Sequence, residues 1–345
     1  MMRIKACKDI LIVLLVVFTY SCNNVGIMNS KVRYVKPEEE LCIKRDTTID
    51  LNRTDRIINP VDIQIIESDY LIAKCQPTTK SPFYFYAFDI SNFNECQLFG
   101  RKGRGNDELV EPRILKSLDI TENLWFYDNT KFLYRYNPRN NQMLKVIQLP
   151  SSFFDITMAS DTSFFYSSFN GDNYCNQATD FKGEEVANYA MNPILTNEGQ
   201  VTLISSQLAS CLDGKIVEAM VCLPQVNIYD IKRNSVISIA VEKSYKKWKT
   251  LLNRALDAST CQYYMAIAPS SDYIFAVYSG ATLAEIYQDG GYNNEIHIFD
   301  WEGNFKYRIK IDEHLSRITF DEKQGQLYGI EKETGYIVRY NIFNN

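Results

Sequence analysis

The sequence predicts an all-β chain, a six-bladed β-propeller with a short amphipathic helix inserted in the fifth blade. Three observations carry this. One phrase of turn, alternating apolar strand, second turn and second strand recurs six times between residue 61 and the end of the chain. The second strand of each phrase closes on Asp or Asn, mostly after an aromatic residue. Those closing residues fall at 89, 137, 180, 230, 300 and 341, giving steps of 48, 43, 50, 70 and 41. Period-two alternation argues strands, and a repeat of about 40–50 residues argues blades of about four strands each.

The units run in order as 61–100, 113–149, 153–190, 206–240, 263–311 and 315–345. Tyr70–Ala73 and Phe83–Asp89 open the series, Leu124–Tyr127 and Phe132–Asn137 repeat it, and Leu327–Ile330 and Tyr336–Asn341 close it. Asp213-Gly214, Gly303-Asn304 and Gly171-Asp172 supply positive-φ residues for tight turns. The abundant asparagines are expected to stand in for scarce glycine in the left-handed region. An open array of such sheets would expose an apolar face and strand edges, so the ring has to close. The last unit lacks an outer strand after Asn341, and the alternating segment 41–51 (LCIKRDTTIDL) is expected to provide it; the alternative is a free linker.

The step of 70 holds two insertions. In Ser244–Asp257, Trp248, Leu251, Leu252, Ala255 and Leu256 share one helical face, with Ser244 as N-cap and Lys246, Lys247, Lys249 and Arg254 on the other face. Such a helix packs on a neighbouring blade, or covers one channel mouth or docks a partner. Ser279–Asn293 reads as a long loop between strands.

Residues 1–21 read as a removable signal. Arg3, Lys5 and Lys8 precede the nine-residue apolar run Ile10–Phe18, which is too short to cross roughly 30 Å of hydrocarbon as a helix. Ser21-Cys22 then resembles the lipobox of bacterial lipoproteins, although Thr19 and Tyr20 depart from its commonest form. The resemblance implies that Cys22 is acylated, becomes the first mature residue and anchors the protein to the lipid bilayer. With the signal removed, 37 basic and 42 acidic residues become 34 and 41, a formal charge of −7. Residues 22–40 read as a lipidated tether, and the absence of an acidic run after Cys22 favours the periplasmic side of a Gram-negative envelope.

Composition excludes several classes. Hydrophobic residues make up 46% and aromatic residues 13%, so the chain is not disordered, and Gly with Pro contributes only 25 residues. Acidic residues outnumber basic ones, so nucleic acid is not an expected partner. His297 and His314 are the only histidines, which rules out a multi-histidine metal site. Each reads as structural or solvated: His297 alternates with Ile296 and Ile298, and His314 follows Asp312-Glu313 in a connection. Beyond Cys7 and Cys22, seven cysteines remain with no CxxC pair, and they read as buried free thiols.

Gly100-Arg101-Lys102-Gly103-Arg104-Gly105-Asn106-Asp107-Glu108-Leu109 is the most distinctive stretch. It fits neither a dinucleotide loop, because Glu108 stands where the third glycine is needed, nor a Walker A loop, because Asn106 follows Gly105. Together with the lipobox and the six units it resembles the TolB-like six-bladed propeller lipoproteins of Gram-negative bacteria and their NHL-like blades. Asn106 stands where that pattern usually has Pro. The resemblance implies a junction between blades, and Arg101, Lys102 and Arg104 are the candidate anion patch there.

Two functions follow. The first is a non-catalytic, membrane-anchored periplasmic scaffold that binds another envelope protein or a small ligand at its loops and channel mouth, with no cofactor. The second is a hydrolase or lyase in which Asp, Glu and Asn side chains of the channel hold Ca2+. No G-x-S-x-G, HExxH or EF-hand pattern occurs, and the catalytic and metal-binding positions are not legible in the sequence.

Overall fold

The computed structural model describes residues 32–343 except 53–57, 106, 119–121, 171–172, 191–205, 212–213, 243–256 and 289–293. Its strands form six sheets. The first is built from Pro60–Ile66, Tyr70–Cys75, Phe83–Asp89 and Asn92–Arg101, and the second from Arg113–Ile114, Leu124–Asp128, Phe132–Asn137 and Gln142–Gln148. Ile156–Ser160, Ser163–Asn170, Asn173–Asp180 and Glu185–Ala190 make the third. Four strands at the heart of the fourth are Ser206–Cys211, Lys215–Met220, Gln225–Asp230 and Ser235–Ala240. The fifth contains Cys261–Pro269, Tyr273–Thr282, Glu295–Asp300 and Phe305–Lys310, and the sixth begins with Leu315–Asp321, Gln326–Glu331 and Ile337–Asn341.

In each sheet the first strand lies innermost. Leu315–Asp321 adjoins both Cys261–Pro269 and Pro60–Ile66, and Ser206–Cys211 adjoins both Ile156–Ser160 and Cys261–Pro269, so these strands surround a common axis. Six hydrophobic clusters among the described residues fill the spaces between successive sheets, including the space between the sixth and the first. Both faces of a sheet are therefore buried. That is why the aromatic runs carry rings on both sides: Phe85 packs towards the second sheet beside Phe126, while Tyr86 and Phe88 pack with Tyr328 of the sixth. The chain is an all-β propeller.

The six closing Asp and Asn residues each end the third strand of their sheet. The reason is local hydrogen bonding. Asp89 Oδ1 accepts Ser91 N–H (2.8 Å), Asn137 Oδ1 accepts Arg139 N–H (2.9 Å), Asp180 Oδ1 accepts Lys182 N–H (2.9 Å) and Asp300 Oδ1 accepts Asn304 N–H (2.8 Å). The side chain thus starts the hairpin that leads to the outer strand. Substitution for glycine is a smaller part of asparagine's role than the composition suggests, since only Asn141 and Asn234 are left-handed asparagines among the described residues.

The N-terminal segments correct one expectation and narrow another. Val32–Tyr34 pairs in parallel with Ser235–Ala240, and Glu39–Cys42 in parallel with Phe305–Lys310, so two edge strands lie where the sequence suggested a tether. Parallel pairing needs no tight turn, and a long lead-in chain can lie along exposed outer edges. The segment 41–51 divides: Leu41 and Cys42 join the fifth sheet, whereas Thr47–Ile49 pairs antiparallel with Ile337–Arg339 and forms the outer strand of the sixth. Lys116–Ser117 leaves the second sheet to pair in parallel with Ala209–Ser210 of the fourth.

The predicted helix Ser244–Asp257 lies outside the described residues apart from Asp257. The one described helix is Leu283–Gln288, inside the stretch read as a long loop. Thr282 and Glu285 cap it reciprocally: Thr282 Oγ1 accepts Glu285 N–H (3.3 Å) and the Glu285 carboxylate accepts Thr282 N–H (2.8 Å). A capping box without a long apolar face following it is easily passed over by a search for amphipathic helices.

Candidate functional site

Where the innermost strands meet the axis, a cavity of about 450 Å³ opens. Charged side chains from four sheets reach it: Asp62 and Lys74 from the first, Arg113 from the second, Lys116 from the strand that crosses to the fourth, and Arg317 from the sixth. Asp155, just before the third sheet, completes the set. The volume suits a small organic ligand.

These charges are unequally compensated. Lys116 donates to Asp62 Oδ1 (2.6 Å) and to the Ile63 carbonyl (2.7 Å), a close ion pair inside the wall. Burial holds the Lys116 ammonium below its usual range, with Asp62 acting against it. Lys74 is 91% buried, and its ammonium makes no hydrogen bond or close ion pair among the described residues. Its pKa is lowered first by burial; Asp62 and Glu111 oppose the shift, and Arg113 and Arg317 reinforce it. Asp155 accepts the N–H groups of Ile156 (3.0 Å) and Leu208 (2.8 Å), tying the third sheet to the fourth. Burial pushes its pKa up to about 7 against those two donors and Arg113, with Glu218 adding to the rise. Tyr127, facing the same space, is raised to about 12, chiefly by burial and then by Asp155.

The Asp155 shift sets a pH dependence. A carboxyl near 3.8 unfolded and about 7 folded favours the folded state when protonated, and that contribution is lost as pH rises from about 4 through 7. Solvent reaches this carboxyl through the cavity, so the effect is on the order of 2 kcal/mol. Urea unfolding at pH 5 and pH 8 is expected to show wild type losing that much relative to Asp155→Asn at the higher pH. An unchanged difference would contradict the assignment.

The candidate patch at 101–104 lies elsewhere. Arg101, Lys102 and Arg104 are exposed. The loop's anion is its own: Glu108 lies 3.8 Å from Arg101 Nε and accepts Gly105 N–H (2.9 Å), and a Cβ on Gly103 would fall 1.8 Å from its carboxylate oxygen. Gly100 is left-handed (φ 66°), and a Cβ there would meet Leu109 and Phe85 at 2.8 Å, so glycine is needed for the loop to fold back. Beyond it, buried Asp128 accepts the N–H groups of Val110 (2.9 Å) and Glu111 (2.7 Å). The stretch is a fastened connection between the first and second sheets.

His297 is 99% buried, stacked on Tyr278 with ring centroids 4.2 Å apart and with Nε2 3.2 Å from Glu295. Burial lowers its pKa, with Glu295 opposing. His314 meets Glu333 at 2.6 Å on the surface. Neither histidine lies at the axial cavity. Cys75, Cys175, Cys211 and Cys222 are buried, Cys96 and Cys261 are partly buried and Cys42 is exposed, and none of these seven is in a disulfide among the described residues. Among the described residues, no three His, Cys, Asp or Glu side chains gather as a metal-binding group, and no helix is long and apolar enough to cross a membrane.

A sequence model of the TolB-like 6-blade propeller-like family matches residues 46–323. The chain belongs to this family. No curated protein sequence matches it. Among solved structures, a Bacteroides fragilis protein inferred to be exported aligns at 11% identity over 87% of this chain and 98% of its own, with a TM-score of 0.51. Streptogramin B lyase aligns at 13% identity over 86% and 97%, with a TM-score of 0.46. For this TolB-like chain, the likeness to the Bacteroides fragilis protein speaks to fold alone.

The cavity residues had no distinguishing signal in the sequence. Lys74 is the exception, a cation near the end of the otherwise apolar strand Tyr70–Cys75, whereas Arg113, Asp155 and Arg317 look like ordinary turn and strand residues.

Proposed function

We propose that this TolB-like propeller is a six-bladed, lipid-anchored binding scaffold on the periplasmic side of a Gram-negative envelope, and that it takes its ligand in the axial cavity. The observation that carries the reading is a ligand-sized cavity at the axis whose charged walls come from separate sheets. Each wall residue is set by the packing of a whole sheet, which makes the cavity preorganised. The signal-like residues 1–21 and Cys22 support the envelope address, and the inferred export of the Bacteroides fragilis neighbour accords with it.

The cavity is tested by thermal unfolding of detergent-solubilised protein against a panel of small periplasmic metabolites. At least one is expected to raise the melting temperature by several degrees, and Val61→Trp, which places a bulky ring on the cavity wall, is expected to abolish the shift. A panel without effect, or shifts that survive Val61→Trp, would refute the site. Ca2+ belongs in the same panel: a shift with Ca2+ that Asp62→Asn removes would favour the calcium-dependent hydrolase or lyase instead. The anchor is tested by fractionation. Cys22→Ala is expected to move the protein from the membrane to the soluble fraction, and retention in the membrane would contradict acylation.

A further inference from the structure

We propose that the axial cavity is an anion site, taking a small organic polyanion with carboxylate or phosphate groups held by Lys74, Arg113 and Arg317. This rests on the cavity being the binding site. The argument is one of charge compensation. Four cations and two carboxylates line the cavity. Lys116 is consumed by Asp62 at 2.6 Å, and Asp155 by two backbone N–H groups. Three cations on three different sheets are then left facing one space, with no carboxylate of their own at ion-pair distance among the described residues. Lys74 is the most telling, because its side chain is 91% buried and delivers an ammonium without a close partner to the cavity, a cost that a counter-ion bound there would offset. Arg113 and Arg317 each repel the Lys74 ammonium, with Asp62 and Glu111 acting against them. A bound anion would relieve that repulsion and satisfy all three. The guanidinium of Arg317 spends one nitrogen on the Ser316 carbonyl (2.6 Å), leaving others for a forked contact with carboxylate or phosphate. Ile114 and Ile156 line the same space, so the ligand has an organic body as well as charge.

The test is calorimetric titration of the detergent-solubilised full-length protein at low salt with three probes: tricarballylate, glycerol 3-phosphate, and the neutral triamide of tricarballylate. One or both anions are expected to bind and the triamide not to; which anion binds distinguishes carboxylate from phosphate. Lys74→Met and Arg317→Met are each expected to weaken binding about tenfold or more. Arg317→Lys is expected to recover part of the loss, and far-ultraviolet circular dichroism confirms that each variant is folded. Arg104→Met, in the surface loop, is expected to bind as wild type does. Binding of the triamide as tightly as the anions, abolished by Val61→Trp, would overturn the anion class while leaving the cavity as the site. If neither anion binds, the proposal falls whatever the metabolite panel shows, and loss of binding in Arg104→Met but not in Lys74→Met would move the anion to the loop and also overturn it.

Discussion

Glu218→Ala is expected to destabilise the protein by about 3–5 kcal/mol, although Glu218 is not itself a lining residue of the axial cavity. Glu218 is fully buried in the second strand of the fourth sheet, and its carboxylate is surrounded by donors. Oε1 accepts Ser206 Oγ (3.1 Å) and Tyr174 O–H (3.4 Å), and Oε2 accepts Asn227 Nδ2 (2.9 Å) and Tyr229 O–H (2.6 Å). Asn176 Nδ2 donates in turn to Tyr229 (2.8 Å), and Gln225 Nε2 to Asn227 (2.8 Å). The network joins the third sheet to the fourth. Burial and the Glu218 carboxylate hold both tyrosines well above their ordinary pKa, so they remain donors throughout the neutral range. Removing the carboxylate leaves several buried donors without an acceptor, which costs more than the net value of the bonds themselves. Glu218→Gln keeps the shape and one acceptor oxygen, and its expected cost is about 1–3 kcal/mol. Urea unfolding of both variants checks the order; a Glu218→Ala cost under about 1 kcal/mol would show that water replaces the carboxylate.

The second large effect concerns the start of the propeller. A chain beginning at Asn52 is expected to lose about 4 kcal/mol or more relative to one beginning at Arg45. The shorter chain lacks Thr47–Ile49, the outer strand of the sixth sheet, together with Ile49 and Leu51, which are buried against Ile337, Tyr328 and Ile63. Burying two such side chains is worth about 3–6 kcal/mol, and the ion pair of Asp46 with Arg339 (2.9 Å from Nε) is lost as well. The bared edge of Ile337–Asn341 would also invite aggregation. The chain beginning at Arg45 gives up the parallel edge strands Val32–Tyr34 and Glu39–Cys42, the edge packing of Val32, Val35, Leu41 and Ile43, and exposed pairs such as Arg308 with Glu40 (3.0 Å). Those pairs are worth little, so this chain is expected to fold cooperatively. Equal midpoints for the two chains would show that the sixth sheet does not need its fourth strand.

Some of the architecture was legible for local reasons. Strand alternation, and the Asp or Asn that opens the hairpin after each third strand, are properties of a few neighbouring residues, and Asp89, Asn137, Asp180 and Asp300 hold their turns within a span of four. Other features had no local cause. That Val32–Tyr34 and Glu39–Cys42 would lie on the fourth and fifth sheets followed from exposed outer edges more than 190 residues away, which no period in the sequence encodes. Glu218 carried a weak sign, a lone acid between Val217 and Ala219 in a central strand, but its four donors come from two other strands of the fourth sheet and one of the third.

The sequence by itself determined the strand repeat and the hairpin-opening acids and amides, because each depends on backbone and side-chain geometry over a few residues. The tertiary structure alone decided which charges share the axis. Lys74, Arg113 and Arg317 are separated by up to 243 positions along the chain and meet in one cavity, because closing the ring turns the inner strands of distant sheets towards the same axis.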